Sequence, residues 1–125
     1  MEKTKGQIEA EISEAIIKFE KEYLGRGPEE TKAYVIDDVV LVRLRGVLTP
    51  AEKQLAKGDP EGKGRALIKQ VRMELIEKAR VLLDTIVRDV TGHAVRSLHT
   101  DISTVSGERI IIFTLDGRPQ LREQP

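Results

Sequence analysis

The stretch from Asp59 to Gly92, DPEGKGRALIKQVRMELIEKARVLLDTIVRDVTG, decides the fold. Asp59 offers an N-capping carboxylate, Pro60 and Glu61 suit a first turn, and Gly92 stands where a left-handed residue ends a helix. Between them Ile68, Val71, Leu75, Ala79, Leu82, Ile86 and Val90 recur at steps of three and four, and Leu67, Ile76, Leu83 and Val87 widen the apolar stripe. Such a helix runs roughly 45 Å, whereas a compact globule of this chain length is only about 36 Å across. The helix must therefore project, bend near Ala79-Arg80, or be shared with a second chain. Pairing with a second chain is the expectation, with Ile68, Leu75, Leu82 and Ile86 at the interface.

Upstream, Ile8, Ile12, Ala15, Ile16, Phe19 and Tyr23 fall on one face of a first helix from Gly6 to Leu24, with Glu9, Glu11, Lys18, Glu20 and Lys21 largely opposite. Gly25-Arg26-Gly27-Pro28 stops that helix. Two β-branched runs follow, Lys32 to Ile36 and Val39 to Gly46, joined by Asp37-Asp38 as a hairpin in which Val40, Val42 and Leu44 face the core. Thr49-Pro50-Ala51-Glu52 is a capping box, with Thr49 as N-cap and Glu52 reaching back, and it opens a short helix to about Lys57. The glycine-rich Gly58 to Gly64 reads as a hinge. After Gly92, Ala94 to Ser103 and Glu108 to Leu115 make a second strand pair. The order α-β-β-α-α-β-β predicts an α+β fold: a four-stranded antiparallel sheet from two hairpins, with helices packed on one face. It resembles a doubled α-β-β unit in architecture, without a residue-level repeat. Residues 1–117 form one domain and 118–125 a polar, frayed tail.

Composition narrows the function classes. The 125 residues carry 21 basic and 21 acidic side chains, a balance that argues against a nucleic-acid or anionic-membrane surface. There is no cysteine, hence no disulfide framework and no thiolate metal site. No run of apolar residues is long enough for a membrane span or a secretory signal, so a cytoplasmic protein is expected, without direct membrane insertion. Only four aromatic residues are present, so the core must be aliphatic.

The candidate chemistry lies on the strands. Alternation puts Val95, Ser97, His99, Asp101 and Ser103 on one face, so that Asp101 neighbours His99 and could set its tautomer. Arg43 and Arg45 could fork onto a carboxylate, phosphate or bicarbonate, and with Arg26, His99 and Asp101 they make a conceivable anion pocket. Against this stand ordinary readings: a solvated sheet face, and cross-strand pairs with Asp37, Asp38 or Glu108. No nucleophile, metal-spaced histidine set or phosphate-binding glycine loop accompanies these residues, so neither an enzyme nor a cofactor is expected.

Gly25-Arg26-Gly27-Pro28, Leu48-Thr49-Pro50-Ala51-Glu52-Lys53-Gln54-Leu55-Ala56, Asp101-Ile102-Ser103 and Gly107-Glu108-Arg109 together resemble the small bacterial family known as YbcI-like or MpsC-like, over about Gly6 to Leu115. The resemblance implies association with a membrane system that supports membrane potential and inorganic carbon uptake. It transfers no catalytic residue. It implies a position peripheral to the inner face of the membrane, with a transporter subunit as partner, while the surplus apolar helix surface and the incomplete catalytic set lead to a non-enzymatic, homodimeric accessory or regulatory protein. The alternative is a small-anion or metabolite sensor using the arginines, His99 and Asp101.

Overall fold

The structure, a computed structural model, describes residues 2–123. The Thr4 hydroxyl accepts from the Gln7 amide while the Gln7 side chain accepts from the Thr4 amide, a capping box that starts helix α1 (Lys5–Leu24). Strands β1 (Glu30–Ile36) and β2 (Val39–Arg45) form the first hairpin, turned at Asp37, whose φ of 54° is a left-handed conformation that aspartate tolerates better than most residues. Helices α2 (Pro50–Ala56) and α3 (Lys63–Thr91) follow, then strands β3 (Val95–Ile102) and β4 (Arg109–Leu115). The four strands form one antiparallel sheet built from two hairpins, as the sequence predicts, and the structure gives their order as β1-β2-β4-β3. The two hairpins meet through β2 and β4.

Alternation along the strands gives the sheet two unlike faces. Ala33, Val35, Val40, Val42, Leu44, Ile111, Phe113 and Leu115 point inward and are buried under α1 and α3. From α1 come Ile8, Ile12, Ile16 and Phe19, and from α3 Ile68, Ile76, Ala79, Leu83 and Val87. This aliphatic mass is the core. The other face carries Tyr34, Ile36, Val39, Leu41, Ile110 and Ile112, and among the described residues no helix covers it.

Several details depart from the sequence reading. The long helix begins at Lys63, with Gly62 as cap residue at φ 73°, because Asp59 sits in a turn closed by the Gly62 amide onto the Asp59 carbonyl. Asp59 still caps, from outside: its carboxylate accepts the Arg65 amide at 3.0 Å. Ile68 is only 1 % exposed and belongs to the core, so it is withdrawn from the expected interface. The buried stripe runs Ile68, Arg72, Ile76, Ala79, Leu83, Val87, which leaves Leu75 and Ile86 half-buried on its flank and Leu82 exposed. Glu20, expected outside, is buried. A bulge between Val95 and Ser97 pairs Val95 with Leu115, so Val95 joins the core side and leaves the face of His99. The segment after Gly117 is docked up to Arg122: Pro119 is buried, and the Arg122 amide donates to the Lys3 carbonyl at 2.8 Å.

The expected hinge is a packing point at its far end. A Cβ built on Gly64 lies 2.0 Å from the Leu55 carbonyl oxygen, so α2 and α3 cross where only glycine fits. Gly64→Ala therefore lowers stability by about 1–3 kcal/mol, outweighing the roughly 1 kcal/mol by which alanine favours a helix. Urea unfolding measures this. An unchanged or higher midpoint contradicts the close crossing.

Candidate functional site

The chemically dense region lies where the segment Gly46–Thr49 leaves the sheet and enters α2. Three consecutive carbonyls there are held by two arginines. Arg26, from the turn after α1, donates through Nη1 to the Leu48 carbonyl at 3.1 Å and through Nη2 to that of Gly46 at 3.3 Å. Arg72, from the middle of α3, donates through Nη2 to the Val47 carbonyl at 2.8 Å. The same guanidinium forks onto Glu52, Nε to Oε2 at 2.8 Å and Nη2 to Oε1 at 2.6 Å. Glu52 in turn accepts the Thr49 amide at 2.9 Å, while the Thr49 hydroxyl accepts the Glu52 amide at 3.2 Å. The capping box of α2 is thus one end of a clamp whose other end is buried in α3.

Charge concentrates behind this clamp. Arg72 and Glu20 are each 2 % exposed, and Arg109 is 3 % exposed. Burial pushes the Glu20 carboxyl above the usual carboxylate range, opposed by the charges of Arg109 and Arg72. Burial likewise acts to raise Glu52, but the Arg72 hydrogen bond, the Thr49 amide and the Arg72 charge more than offset it and hold Glu52 low. Burial lowers Arg109. Two carboxylates and two guanidiniums balance in number, and Arg72 Nη1 has no hydrogen-bond partner among the described residues. The signs of the linkage differ. The contribution of Glu52 is present above the ordinary glutamate pKa and is lost as pH falls through its lowered value; that of Glu20 is full below the ordinary pKa and declines as pH rises through its raised value.

The expected sheet pocket does not assemble. Arg26 is committed to the carbonyls just described, and Arg43 pairs with Glu108 at 2.7 Å. His99 stands exposed on the uncovered face, and Asp101 accepts its own neighbour's amide, Ile102 N–H, at 2.8 Å and the Lys69 ammonium at 3.3 Å. These contacts, the amide first, hold the Asp101 carboxyl low. The imidazole–carboxylate pair that does form is His93 with Asp116, Nδ1 to Oδ1 2.9 Å, joining residues too far apart in sequence to be read as neighbours. Of the expected anion residues, Asp101 borders a small cleft of about 430 Å³ with Lys69, and Arg45 lines a larger one beside α2.

That cleft, of about 720 Å³, opens between the end of β2, α2 and the β3–β4 turn. Its lining brings Arg45, Lys53, Lys57 and Arg65 together against Glu29 and Glu108, with the Thr104 and Ser106 hydroxyls beside them. Arg65 also lies 3.8 Å from Asp59. Lys53 and Lys57 have no carboxylate partner among the described residues, so the cleft is cationic.

Comparison with known proteins gives a consistent result. The sequence model of the family described as "Na+-translocating membrane potential-generating system (MpsC)" matches residues 4–117. "Uncharacterized protein YbcI" of Bacillus subtilis (strain 168) is 45% identical over 115 residues, covering 92% of this chain and 90% of that one. No solved structure matches. Among the described residues no helix is long and apolar enough to cross a membrane.

The clamp makes a specific claim about stability. Arg72→Met strands Glu52 and the Val47 carbonyl and costs about 3–5 kcal/mol. The double variant Arg72→Met/Glu52→Met loses clearly less than Arg72→Met alone, because no unpaired charge remains. Chemical denaturation of the three proteins decides it; equal losses for single and double variants contradict the clamp.

Proposed function

The chain belongs to the MpsC family, and from that premise we propose that it is a homodimeric, non-enzymatic accessory protein that acts through its surfaces on a membrane-bound partner. The observation that carries the reading is the sheet face without helices, an apolar strip of Tyr34, Ile36, Val39, Leu41, Ile110 and Ile112 that a folded chain ordinarily covers with protein. The family's description names a membrane potential-generating system, and in this reading the chain attaches to such a system from the cytoplasmic side as a peripheral subunit. The ionisable groups with shifted pKa values support a structural use, since Glu52, Asp59 and Asp101 are engaged in capping and pairing and Glu20 and Arg109 sit under the helix layer.

A second reading has its own observation. The cationic cleft with unpaired Lys53 and Lys57 suits a small anion, and in that case the accessory role is regulated by phosphate, bicarbonate or a carboxylate. Such an anion raises the melting temperature of the wild-type protein and not that of an Arg45→Ala/Lys57→Ala variant. Equal shifts in both proteins, or none in either, remove this reading.

The principal reading is tested by mass against concentration. Light scattering coupled to sedimentation should show twice the 14.0 kDa chain mass at high concentration. A 14.0 kDa particle up to about 100 µM removes the homodimer. Affinity capture from native membranes that returns no integral membrane subunit removes the membrane partnership.

A further inference from the structure

We propose that the partner on the uncovered sheet face is a second copy of this chain, packed face to face about a two-fold axis that runs parallel to the strands between β2 and β4. This deepens the homodimer of the proposed function and rests on that reading.

The argument comes from the register. Across the sheet the outer face is ruled into rows: Ile36-Val39-Thr114-Ser97, then Tyr34-Leu41-Ile112-His99, then Lys32-Arg43-Ile110-Asp101. A two-fold axis along the strands keeps each row at its own height and reverses its order, so β1 lies over the partner's β3 and β2 over the partner's β4. Each row then meets itself reversed. Leu41 covers Ile112, Tyr34 covers His99, and Lys32 faces Asp101, whose side chain is 80% exposed and free to accept a second cation. One row further along, Arg45 of β2 faces Glu108, just before β4. The first row sets Ile36 over Ser97 and Val39 over Thr114, whose hydroxyls already bond each other; the other pairings are apolar on apolar, aromatic on imidazole, aliphatic stem on isoleucine, or cation on anion.

The competing symmetric arrangement fails on the same rows. An axis across the strands lays β1 on β1 and reverses the rows end for end. It puts Lys32 over Ile36 and Arg43 over Val39, burying charge against aliphatic surface with no counter-charge. The outer side of α3 is the other apolar candidate, but there Val71, Met73, Val81 and Leu82 are interrupted by Glu74, Glu77, Lys78 and Arg80, whereas the sheet rows are adjacent side chains.

Size sets the strength. Four strands about 4.8 Å apart and seven residues long offer a footprint of roughly 20 by 23 Å. That is about 460 Å² per partner, little more than half the roughly 800 Å² of a standard-size interface and in the range of weak, transient association. A dimer that dissociates on dilution is expected, with aligned sheets crossing at about 30° and the middle row at the best overlap.

The absence of cysteine makes the geometry directly readable. Leu41→Cys and Ile112→Cys chains, mixed and treated with a short bis-maleimide, should give a mixed cross-linked dimer in clear excess over either chain alone. Lys32→Glu should weaken association about tenfold or more, and Lys32→Glu/Asp101→Lys should restore it, with melting curves confirming that each variant is folded. Preferential Leu41–Leu41 cross-linking, or a folded Leu41→Glu variant that dimerises like wild type, overturns this interface and leaves the homodimer standing. A chain that is monomeric throughout overturns both.

Discussion

The buried guanidinium of Arg72 is the constraint on which the rest depends. It projects from the core-facing stripe of the long helix and ties that helix to the Val47 carbonyl and to both oxygens of Glu52. A buried arginine is tolerable only where its charge and most of its donors are met, and here they are met by the chain segment that links the first hairpin to the long helix. Because Glu52 is also half of the α2 capping box, the clamp fixes the short helix as well. The close crossing at Gly64 then places α3 against α2 from the other side. The Leu48-Thr49-Pro50-Ala51-Glu52 block, one of the stretches that carry the family resemblance, is accounted for as this clamp.

Fixing the helices over one face leaves the other bare. Two helices suffice to bury the inward residues of all four strands, and among the described residues no further element lies on the outer side. Apolar residues on an uncovered antiparallel face are a common signature of assembly, and the balanced net charge of the chain favours contact decided by local pairing over long-range attraction. The cationic cleft sits at the edge of the same construction, walled by α2 and by the turn between β3 and β4. Its shape therefore follows the clamp: whatever loosens α2 also opens the cleft.

The architecture was legible because each element carries its own period. Steps of three and four marked α1 and α3, alternation marked the strands, and Thr49-Pro50-Ala51-Glu52 announced α2. What escaped was what connects distant parts. Arg72 looked like one more charge on a helix crowded with charges, although its place in the series Ile68, Arg72, Ile76, Ala79 was the available signal. Glu20 lay on the helix face assigned to solvent, one residue from Phe19, so a small rotation of the stripe hid it. No local pattern foretold the bulge that turns Val95 inward, or the meeting of His93 and Asp116, whose proximity is made by the end of α3 and the end of β4. The expected sheet pocket failed for a related reason: Arg26, Arg43 and Asp101 each had a nearer partner than a ligand.

Native-state hydrogen exchange reads the clamp most directly. If Arg72 joins α2 and the Gly46–Thr49 segment to the core as one cooperative unit, the amides of Val47, bonded to Gly107, and of Lys53, bonded to Thr49, exchange only by opening that comes within about 1 kcal/mol of the central β4 amides. Exchange of Val47 and Lys53 through a local opening more than about 2 kcal/mol easier than that of β4 would show that the segment moves independently and that the guanidinium does not hold it.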